Sequence, residues 1–262
     1  MTAALVLVCG LILGSFLNVC IHRLPLGESV VTPGSRCPRC LAPVRPWQNV
    51  PVVSWVVLRG RCASCRAPIS WRYPLVEALT GVLMLALWRA FGADPAFAVS
   101  AIFTAMLIVL FFTDYDHQLL PDRVTLSGFG IGLALAYVNP FLGDPGWRRL
   151  VAACAGAALG SGILWGIGAL YTRLRGVEAM GFGDVKMMAM VGAFSGPAGV
   201  AVTLFGASIA GAAIGLALIA IKGKSLRHAL PFGCFLAPAA LAALLWGRSA
   251  VSGYLGYIRL GP

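Results

Sequence analysis

Two aspartates stand at the ends of long apolar segments, where a charged side chain is unfavourable. Asp114 follows the run AIFTAMLIVLFFT, and Asp184 lies in GFGD immediately before VKMMAMVGAF. A charged residue within a membrane helix costs about 2.5–3.5 kcal/mol on insertion scales, and such residues commonly mark a function. The two acids therefore predict one shared site at the ends of two membrane helices.

Paired carboxylates can hydrolyse a peptide without a covalent intermediate. Two carboxylates held close together do not both ionise easily, so they share one proton and titrate as a unit. The charged partner can activate a water molecule while the protonated partner polarises a peptide carbonyl. Gly181 and Gly183 would let the backbone approach a neighbouring segment closely just before Asp184.

The competing interpretation is that these acids cap helices or serve only membrane topology. Asp122 follows Leu-Leu-Pro and precedes Val-Thr-Leu after one arginine, which predicts a helix N-cap at Asp122. Asp116 is either an interfacial charge or a residue that supports the pair. A second aspartate in a Gly-x-Gly-Asp setting favours the catalytic interpretation for Asp114 and Asp184.

The composition predicts an all-α, polytopic membrane protein. The 262 residues are 59% hydrophobic and only 11% charged, and the mean hydropathy is +0.87, whereas about a quarter of the residues of soluble domains are charged. About eight apolar stretches are long enough to span or nearly span a bilayer. The sixth is short, and it is either tilted or continuous with the loop before it. The stretches are residues 3–21, 73–91, 96–113, 124–142, 149–171, 185–196, 199–221 and 229–247.

The distribution of positive charge predicts the orientation. The first apolar run has no basic residues before it, so we expect a transmembrane helix with its N-terminus outside and not a cleavable signal peptide. Fifteen of the 20 basic residues follow odd-numbered helices, which places those loops in the cytoplasm and makes a nucleic-acid partner a poor explanation of the +11 net charge. They are Arg23, Arg36, Arg39, Arg45, Arg59, Arg61, Arg66, Arg72, Arg123, Arg173, Arg175, Lys186, Lys222, Lys224 and Arg227.

Residues 22–72 interrupt the apolar pattern and divide the chain. This segment is rich in Arg, Pro and Cys and has no helical periodicity, so we expect a small cytoplasmic insertion between a first transmembrane helix at 1–21 and a helical bundle at 73–262. The remaining helices are joined by short Gly- and Pro-containing turns. No internal repeat with matched residues is expected.

Four cysteines in the insertion have the spacing of a metal site. Cys37-Pro-Arg-Cys40 and Cys62-Ala-Ser-Cys65 form two CxxC motifs separated by 21 residues. Zinc prefers four soft ligands in a tetrahedron, and a structural zinc ion can supply about 10–16 kcal/mol to fold a small segment. Two disulfides are the alternative, but they rarely persist in a reducing cytoplasm. The other four cysteines lie in apolar runs and are expected to be inert: Cys9, Cys20, Cys154 and Cys234.

Several polar residues in the apolar segments have more than one interpretation. Glu77, one turn into the second helix, either pairs with an arginine of the insertion or takes part in a second reaction. Ser15 and Asn18 either form interhelical hydrogen bonds or line a groove. Three histidines are expected to mark membrane boundaries and not to bind metal: His22, His117 and His228.

These motifs together resemble the type IV prepilin peptidase family, in the family's order and over nearly the whole chain. GxGD alone would also fit presenilin-like proteases and archaeal preflagellin peptidases, but those lack the cysteine insertion. The segments that carry the resemblance are G14-S-F-L-N-V-C-I-H-R-L-P25, the CxxC pair, NVPVVSWVVLRGRC, I69-S-W-R-Y-P-L-V-E77, FTDYDHQLLPD and GFGDVK.

The resemblance implies an inner-membrane aspartyl endopeptidase with Asp114 and Asp184 as its catalytic pair. It implies cleavage of the short basic leader of prepilins and pseudopilins at the cytoplasmic face, followed by methylation of the new N-terminus from S-adenosylmethionine. The sequence has no Rossmann-type glycine fingerprint for such a donor. We hypothesise that five acids form a patch for the basic leader, while the Arg-rich insertion contacts lipid headgroups. The five are Asp114, Asp116, Asp122, Glu178 and Asp184.

Two other classes of protein remain as alternatives. A proton-coupled transporter would use the aspartates to carry protons, but it should have ionisable residues through the depth of the bilayer, and here they gather at one face. A non-catalytic subunit of a secretion system would tolerate Asp→Asn substitutions without loss of processing.

Overall fold

The computed structural model describes residues 2–176, 181–222 and 231–260 and is built from α-helices in these ranges. Most of the apolar segments form long α-helices, because in a bilayer a continuous helix satisfies its own backbone hydrogen bonds. The helices are α1 (Ala3–Arg23), α2 (Val53–Val57), α3 (Arg72–Phe91), α4 (Pro95–His117), α5 (Asp122–Ala134), α6 (Trp147–Arg175), α7 (Phe182–Lys222) and α8 (Gly233–Leu260).

The chain forms two compact units, Met1–Phe97 and Ala98–Pro262. In the first unit α1 packs on α3 through glycines. A β-carbon on Gly14 would come within 2.7 Å of the Glu77 Cα, and one on Gly10 within 2.9 Å of the Gly81 Cα. The Asn18 amide donates to the Tyr73 carbonyl at 3.0 Å, which confirms interhelical hydrogen bonding for Asn18. Small residues thus allow the close helix contacts that favour association in lipid.

The second unit is organised around α7, which packs against α5, α6 and α8. The contact between α6 and α7 is so close that a β-carbon on Gly156 or on Gly192 would overlap the backbone of the other helix. Phe103 of α4 stacks on Phe194 of α7 with ring centroids 4.7 Å apart. α7 is therefore the element whose position decides where Asp184 lies.

α7 is interrupted in its middle. Gly196 has a left-handed φ of 67°, and Pro197, which has no amide hydrogen, follows it. A break of this kind leaves carbonyls of the preceding turn without helical donors. The buried side chain of Asn139 donates to one of them, the Phe194 carbonyl, at 2.8 Å. A side chain from the turn that follows α5 thus donates to a carbonyl that the kink leaves without a helical partner.

The all-α membrane prediction is confirmed for the described residues, in which five helices are long and apolar enough to span a bilayer. The total of eight spans stays a prediction. Segments 185–196 and 199–221 belong to the single kinked helix α7, and the GFGD loop leads directly into it. Of segment 124–142, only residues 124–134 are α-helical. They belong to α5 (Asp122–Ala134), which is about 20 Å long at about 1.5 Å per residue.

Candidate active site

Asp114 and Asp184 line one cavity of about 240 Å³ in the second unit. Asp114 lies in the last turn of α4 and Asp184 in the first turn of α7, so the two carboxylates approach from the ends of different helices. Their side chains are close enough to interact electrostatically. The other lining residues are Gln118, Leu119, Leu120, Asp122, Gly181 and Gly183.

Asp114 is buried and held by the first turn of α8. Its side chain is 5% exposed, and its Oδ2 accepts a hydrogen bond from the Cys234 backbone amide at 2.9 Å. Amides at a helix N-terminus have no partner within the helix and favour a negative charge. The start of α8 therefore both orients the carboxylate and stabilises its charged form.

Gly233 makes this contact possible. A β-carbon at this position would come within 2.7 Å of Asp114 Oδ2 and 3.2 Å of Leu120 Cδ2. The Cys234 thiol lies 3.5 Å from the Phe111 carbonyl, one turn before Asp114, so α8 contacts α4 at two points. Glycine is required here because the carboxylate occupies the space that a β-carbon would take.

This part of the site was not predicted from the sequence, which indicated a packing role for Cys234 and no role for Gly233. The available signal was the segment LPFGC at the start of the last apolar run, where a glycine follows a proline and an aromatic residue. That pattern predicts a turn, and only the folded chain shows that the turn faces an aspartate.

Asp184 is half-buried, whereas Asp114 is buried. Its amide donates to the Gly181 carbonyl at 3.2 Å, which begins the helix. A β-carbon on Gly183 would come within 3.1 Å of the Leu120 Cβ. The expected close approach before Asp184 is therefore present at Gly183.

Asp122 differs from its predicted role as an N-cap. α5 begins at Asp122 itself, with Pro121 as the cap residue, because proline fixes φ near the helical value and lacks the amide that would need a partner. Both carboxylate oxygens of Asp122 instead bind Lys186 Nζ, at 2.7 and 2.8 Å. Asp122 is thus ion-paired at the edge of the cavity.

The remaining members of the hypothesised acidic patch lie in different settings. Asp116 is exposed near the end of α4. Glu178 lies outside the residues that the structure describes. The patch hypothesis therefore stays a prediction, with Asp122 already neutralised by a lysine.

In the first unit, the four insertion cysteines converge. The sulfurs of Cys37, Cys40, Cys62 and Cys65 all lie within 4.8 Å of one another, and the sulfurs of Cys37 and Cys65 are 3.8 Å apart. A tetrahedral zinc ion with Zn–S bonds of about 2.3 Å separates its sulfur ligands by about 3.8 Å. The thiols therefore fit a single four-coordinate ion, whereas sulfurs in disulfides would lie about 2 Å apart.

The two CxxC turns are copies of one another, offset by 25 residues, which corrects the expectation of no internal repeat. Arg36-Cys-Pro-Arg-Cys-Leu-Ala-Pro43 matches Arg61-Cys-Ala-Ser-Cys-Arg-Ala-Pro68. Each copy has a bridge between its first and last residues, Arg36 to Pro43 and Arg61 to Pro68. Leu41 and Arg66, at equivalent positions, both have a positive φ. Each copy spans only eight residues, so the repeat is difficult to detect in the sequence.

The backbone of each turn favours thiolates. Hydrogen bonds from the Cys40 and Arg39 amides lower the pKa of Cys37 to about 6. Amides of Cys65 and Ser64 likewise lower the pKa of Cys62. At Cys40 the backbone of Ala42 also favours the thiolate, but hydrogen bonds with the Cys65 and other thiols raise the pKa to about 11. Metal ligation requires deprotonated cysteines, and the backbone contribution at these three cysteines favours that state.

Glu77 has a backbone partner in the insertion. Its Oε2 accepts a hydrogen bond from the Val52 amide at 2.7 Å, and it also bonds the Ser15 side chain of α1. Val52 has a φ of 61°, unfavourable for a β-branched residue. Glu77, 8% exposed, therefore connects α1, α3 and a strained turn of the insertion.

A helical membrane protein with two carboxylates in one cavity belongs to the class of polytopic membrane peptidases, here with a four-cysteine insertion that could hold a metal ion. Family models match both units of the chain. Residues 8–91 match the bacterial peptidase A24 N-terminal domain, and residues 101–216 match the type IV leader peptidase family. The chain belongs to this bacterial leader peptidase family.

Curated relatives match over almost their full length. A prepilin leader peptidase/N-methyltransferase of Stutzerimonas stutzeri is 36% identical over 277 aligned residues, covering 97% of this chain and 94% of the relative. Proteins of the same name from Legionella pneumophila (40% identical, 94% and 92% covered) and Pseudomonas aeruginosa (36%, 95% and 91%) are also similar. No solved structure matches the chain significantly.

Proposed function

We propose that this chain is a prepilin leader peptidase in which Asp114 and Asp184 are the catalytic pair. The observation that carries the proposal is that both carboxylates line one cavity, on different helices, at the same end of their unit. Asp114, bonded to the amide of Cys234, is suited to hold the negative charge and activate water. Asp184, the less buried of the two, is suited to hold the shared proton and donate it to the substrate carbonyl.

The site is proposed to face the cytoplasm of a bacterial inner-membrane protein. Arg123 and Lys186 lie in the first turns of α5 and α7, next to the cavity. The positive-inside rule assigns such residues to the cytoplasmic side. The same rule, applied to His22 and Arg23 in the last turn of α1, places the N-terminus of α1 outside. A prepilin or pseudopilin would place its apolar segment in the bilayer and its basic leader on this side, near the acidic residues of the cavity.

We further propose a second activity, methyl transfer from S-adenosylmethionine to the new N-terminus of the product. The support is the printed name of relatives that align over more than 90% of this chain. The alignment includes the cysteine insertion, which we propose to hold one structural zinc ion through Cys37, Cys40, Cys62 and Cys65. Within that proposal residues 22–72 act as a zinc-folded insertion between residues 1–21 and 73–262.

Purified protein in detergent with a prepilin peptide tests both activities. Asp114→Asn and Asp184→Asn should each lower the rate of cleavage by a factor of about 10³ or more, since each removes one half of an acid–base pair. Cleavage that persists in both variants would make the aspartates structural. With wild-type protein, addition of S-adenosylmethionine should raise the mass of the product by one methyl group, and an unchanged mass would contradict the second activity.

A matched control keeps the result specific to the cavity. Asp144 lies on the surface and pairs with Arg148 at 3.6 Å. Asp144→Asn makes the same chemical change away from the two carboxylates and should leave cleavage intact. Equal thermal stability of the three asparagine variants would show that lost cleavage is not lost folding.

A further inference from the structure

The ion pair between Asp122 and Lys186 joins the two segments that carry the proposed catalytic aspartates. Asp122 follows Asp114 across the short turn between α4 and α5, and Lys186 follows Asp184 by two residues in α7. The amide of Gln118, within that turn, donates to the Asp114 carbonyl at 2.9 Å. A contact between Asp122 and Lys186 therefore constrains the distance between Asp114 and Asp184.

The ion pair is also the end of a close helix seam. Further along, Gly128 of α5 lies against Met190 of α7, where a β-carbon would overlap the methionine sulfur. A β-carbon on Gly132 would come within 2.9 Å of the Ala193 Cβ. Glycines leave the two helices in direct contact there, and the ion pair provides the contact at the cavity end. At that end Leu120, in the turn between α4 and α5, also packs against Gly183, so the ion pair adds a polar contact beside an apolar one.

The two side chains of the Asp122–Lys186 ion pair lie closer together than those of the exposed ion pair on this protein's surface. Lys186 Nζ contacts both oxygens of Asp122, at 2.7 and 2.8 Å, with side chains that are 29% exposed for the lysine and 56% exposed for the aspartate. By contrast, Arg148 and Asp144 are 3.6 Å apart and mostly exposed, with side chains 69% and 76% accessible. Exposed pairs of that kind contribute little because solvent screens them.

The ion pair between Asp122 and Lys186 also affects the net charge around Asp114 and Asp184. Asp122 lines the same cavity as Asp114 and Asp184, so three carboxylates share a small volume. Like charges disfavour further ionisation, and a nearby cation offsets them. Other charged or titratable groups near these carboxylates, in the described part of the unit, include Asp116 and His117 at the end of α4, Arg123 at the start of α5 and Cys234 on α8.

We propose that Asp122 and Lys186 are positioning residues, which hold Asp184 at its working distance from Asp114 and cancel the third negative charge of the cavity. The inference rests on the proposed catalytic pair. It predicts an effect on the turnover and on the pH dependence of cleavage, with little effect on substrate affinity.

The pH–activity profile of cleavage separates this role from a merely structural one. Lys186→Met leaves Asp122 uncompensated, so the shared proton is held more tightly and the profile should move to higher pH. Asp122→Asn leaves Lys186 uncompensated and should move the profile to lower pH. Each shift should be about 0.5 pH unit or more, given charges a few ångströms apart. The double variant Asp122→Asn/Lys186→Met should return the profile to that of the wild type.

Turnover reports the positioning. Each single variant should lower kcat about tenfold or more, while KM changes less than about threefold, because the loss is one of geometry at the reacting groups. The charge swap Asp122→Lys/Lys186→Asp restores an attraction and should recover part of kcat. Lys186→Arg, which keeps the charge, should keep the wild-type profile even if kcat falls. Arg148→Met is the matched control at the exposed pair.

The outcomes are distinguishable. Opposite shifts that cancel in the double variant support the inference. Shifts in the same direction, or loss of kcat with an unmoved profile in both single variants, overturn it while leaving the catalytic pair intact. If Asp114→Asn and Asp184→Asn still cleave, the proposed function itself fails. If Lys186→Met does not fold, the Lys186→Arg and Asp122→Asn profiles still decide, since Asp122→Asn must move to lower pH.

Discussion

Gly233 lies directly against Asp114: a β-carbon on the glycine would come within 2.7 Å of the carboxylate Oδ2. The neighbouring amide of Cys234 donates to the same oxygen at 2.9 Å. The first turn of the last helix therefore forms one wall of the cavity, although it is more than a hundred residues from Asp114 in the chain.

Gly233→Ala should reduce cleavage by displacing the Asp114 carboxylate. A misplacement of about 1 Å at a reacting group can cost about 10²-fold in rate, so we expect kcat to fall 10- to 100-fold with KM little changed. Steady-state kinetics on a prepilin peptide measures both. Gly206→Ala is the matched control, since its β-carbon would lie 3.6 Å from the Ala239 Cβ, an ordinary contact. Equal kinetics for the two variants would contradict the proposed role of Gly233.

Cys234→Ala should reduce cleavage less than about threefold, because the hydrogen bond to Asp114 comes from the backbone, which the substitution keeps. The thiol contributes only a long contact of 3.5 Å to the Phe111 carbonyl. The comparison of kcat/KM for Cys234→Ala and wild type decides this. A loss of tenfold or more would mean that the sulfur itself contributes to the site.

Glu77 can be tested by separating its hydrogen bond from its charge. Glu77→Gln keeps an acceptor for the Val52 amide, so the structural role predicts that both cleavage and methyl transfer persist. Glu77→Leu leaves that amide without its partner and should destabilise the protein by about 1–3 kcal/mol. Product masses and thermal unfolding of the two variants are the measurements. Loss of methyl transfer alone in Glu77→Gln would instead favour a chemical role.

The four insertion cysteines should hold one zinc ion per chain. Metal analysis of the purified protein measures the stoichiometry, and Cys37→Ser or Cys62→Ser should lower it to near zero, because four thiolates are needed for a closed tetrahedral site. Acidification should release zinc, because protons compete with the metal for the four thiolates. Cys154→Ser is the control, and a normal zinc content in Cys62→Ser would rule out the four-cysteine site.

The contact between α6 and α7 should tolerate no added volume. Gly192→Val would force the helices apart, because a β-carbon there already overlaps the Gly156 backbone, and overpacking typically costs about 1–3 kcal/mol or more. The midpoint of thermal unfolding in detergent should fall clearly. Gly162→Val in α6, where a β-carbon would meet nothing within 4 Å, should unfold close to wild type. Similar midpoints for both variants would show that the contact between α6 and α7 can relax.

The class of fold, the shared cavity of Asp114 and Asp184 and the convergence of four cysteines were predictable from the sequence alone. These signals are local: apolar segments near membrane length, GxGD at the start of one of them, and the spacing of two CxxC turns. Hydropathy and ligand chemistry act over a few residues, so they can be detected without knowing which segments meet. The all-α prediction was confirmed for this reason, and so was the resemblance to the leader peptidase family.

Which distant residues meet at the cavity depends instead on how the helices pack. The contact of Gly233 and Cys234 with Asp114, and the ion pair of Lys186 with Asp122, join residues 64 to 120 positions apart. The helix break at Gly196 and the continuity of two predicted segments in α7 also depended on neighbours, such as Asn139. Helix packing selects these pairs through close contacts at glycines, and glycine in a sequence does not reveal which surface it will meet.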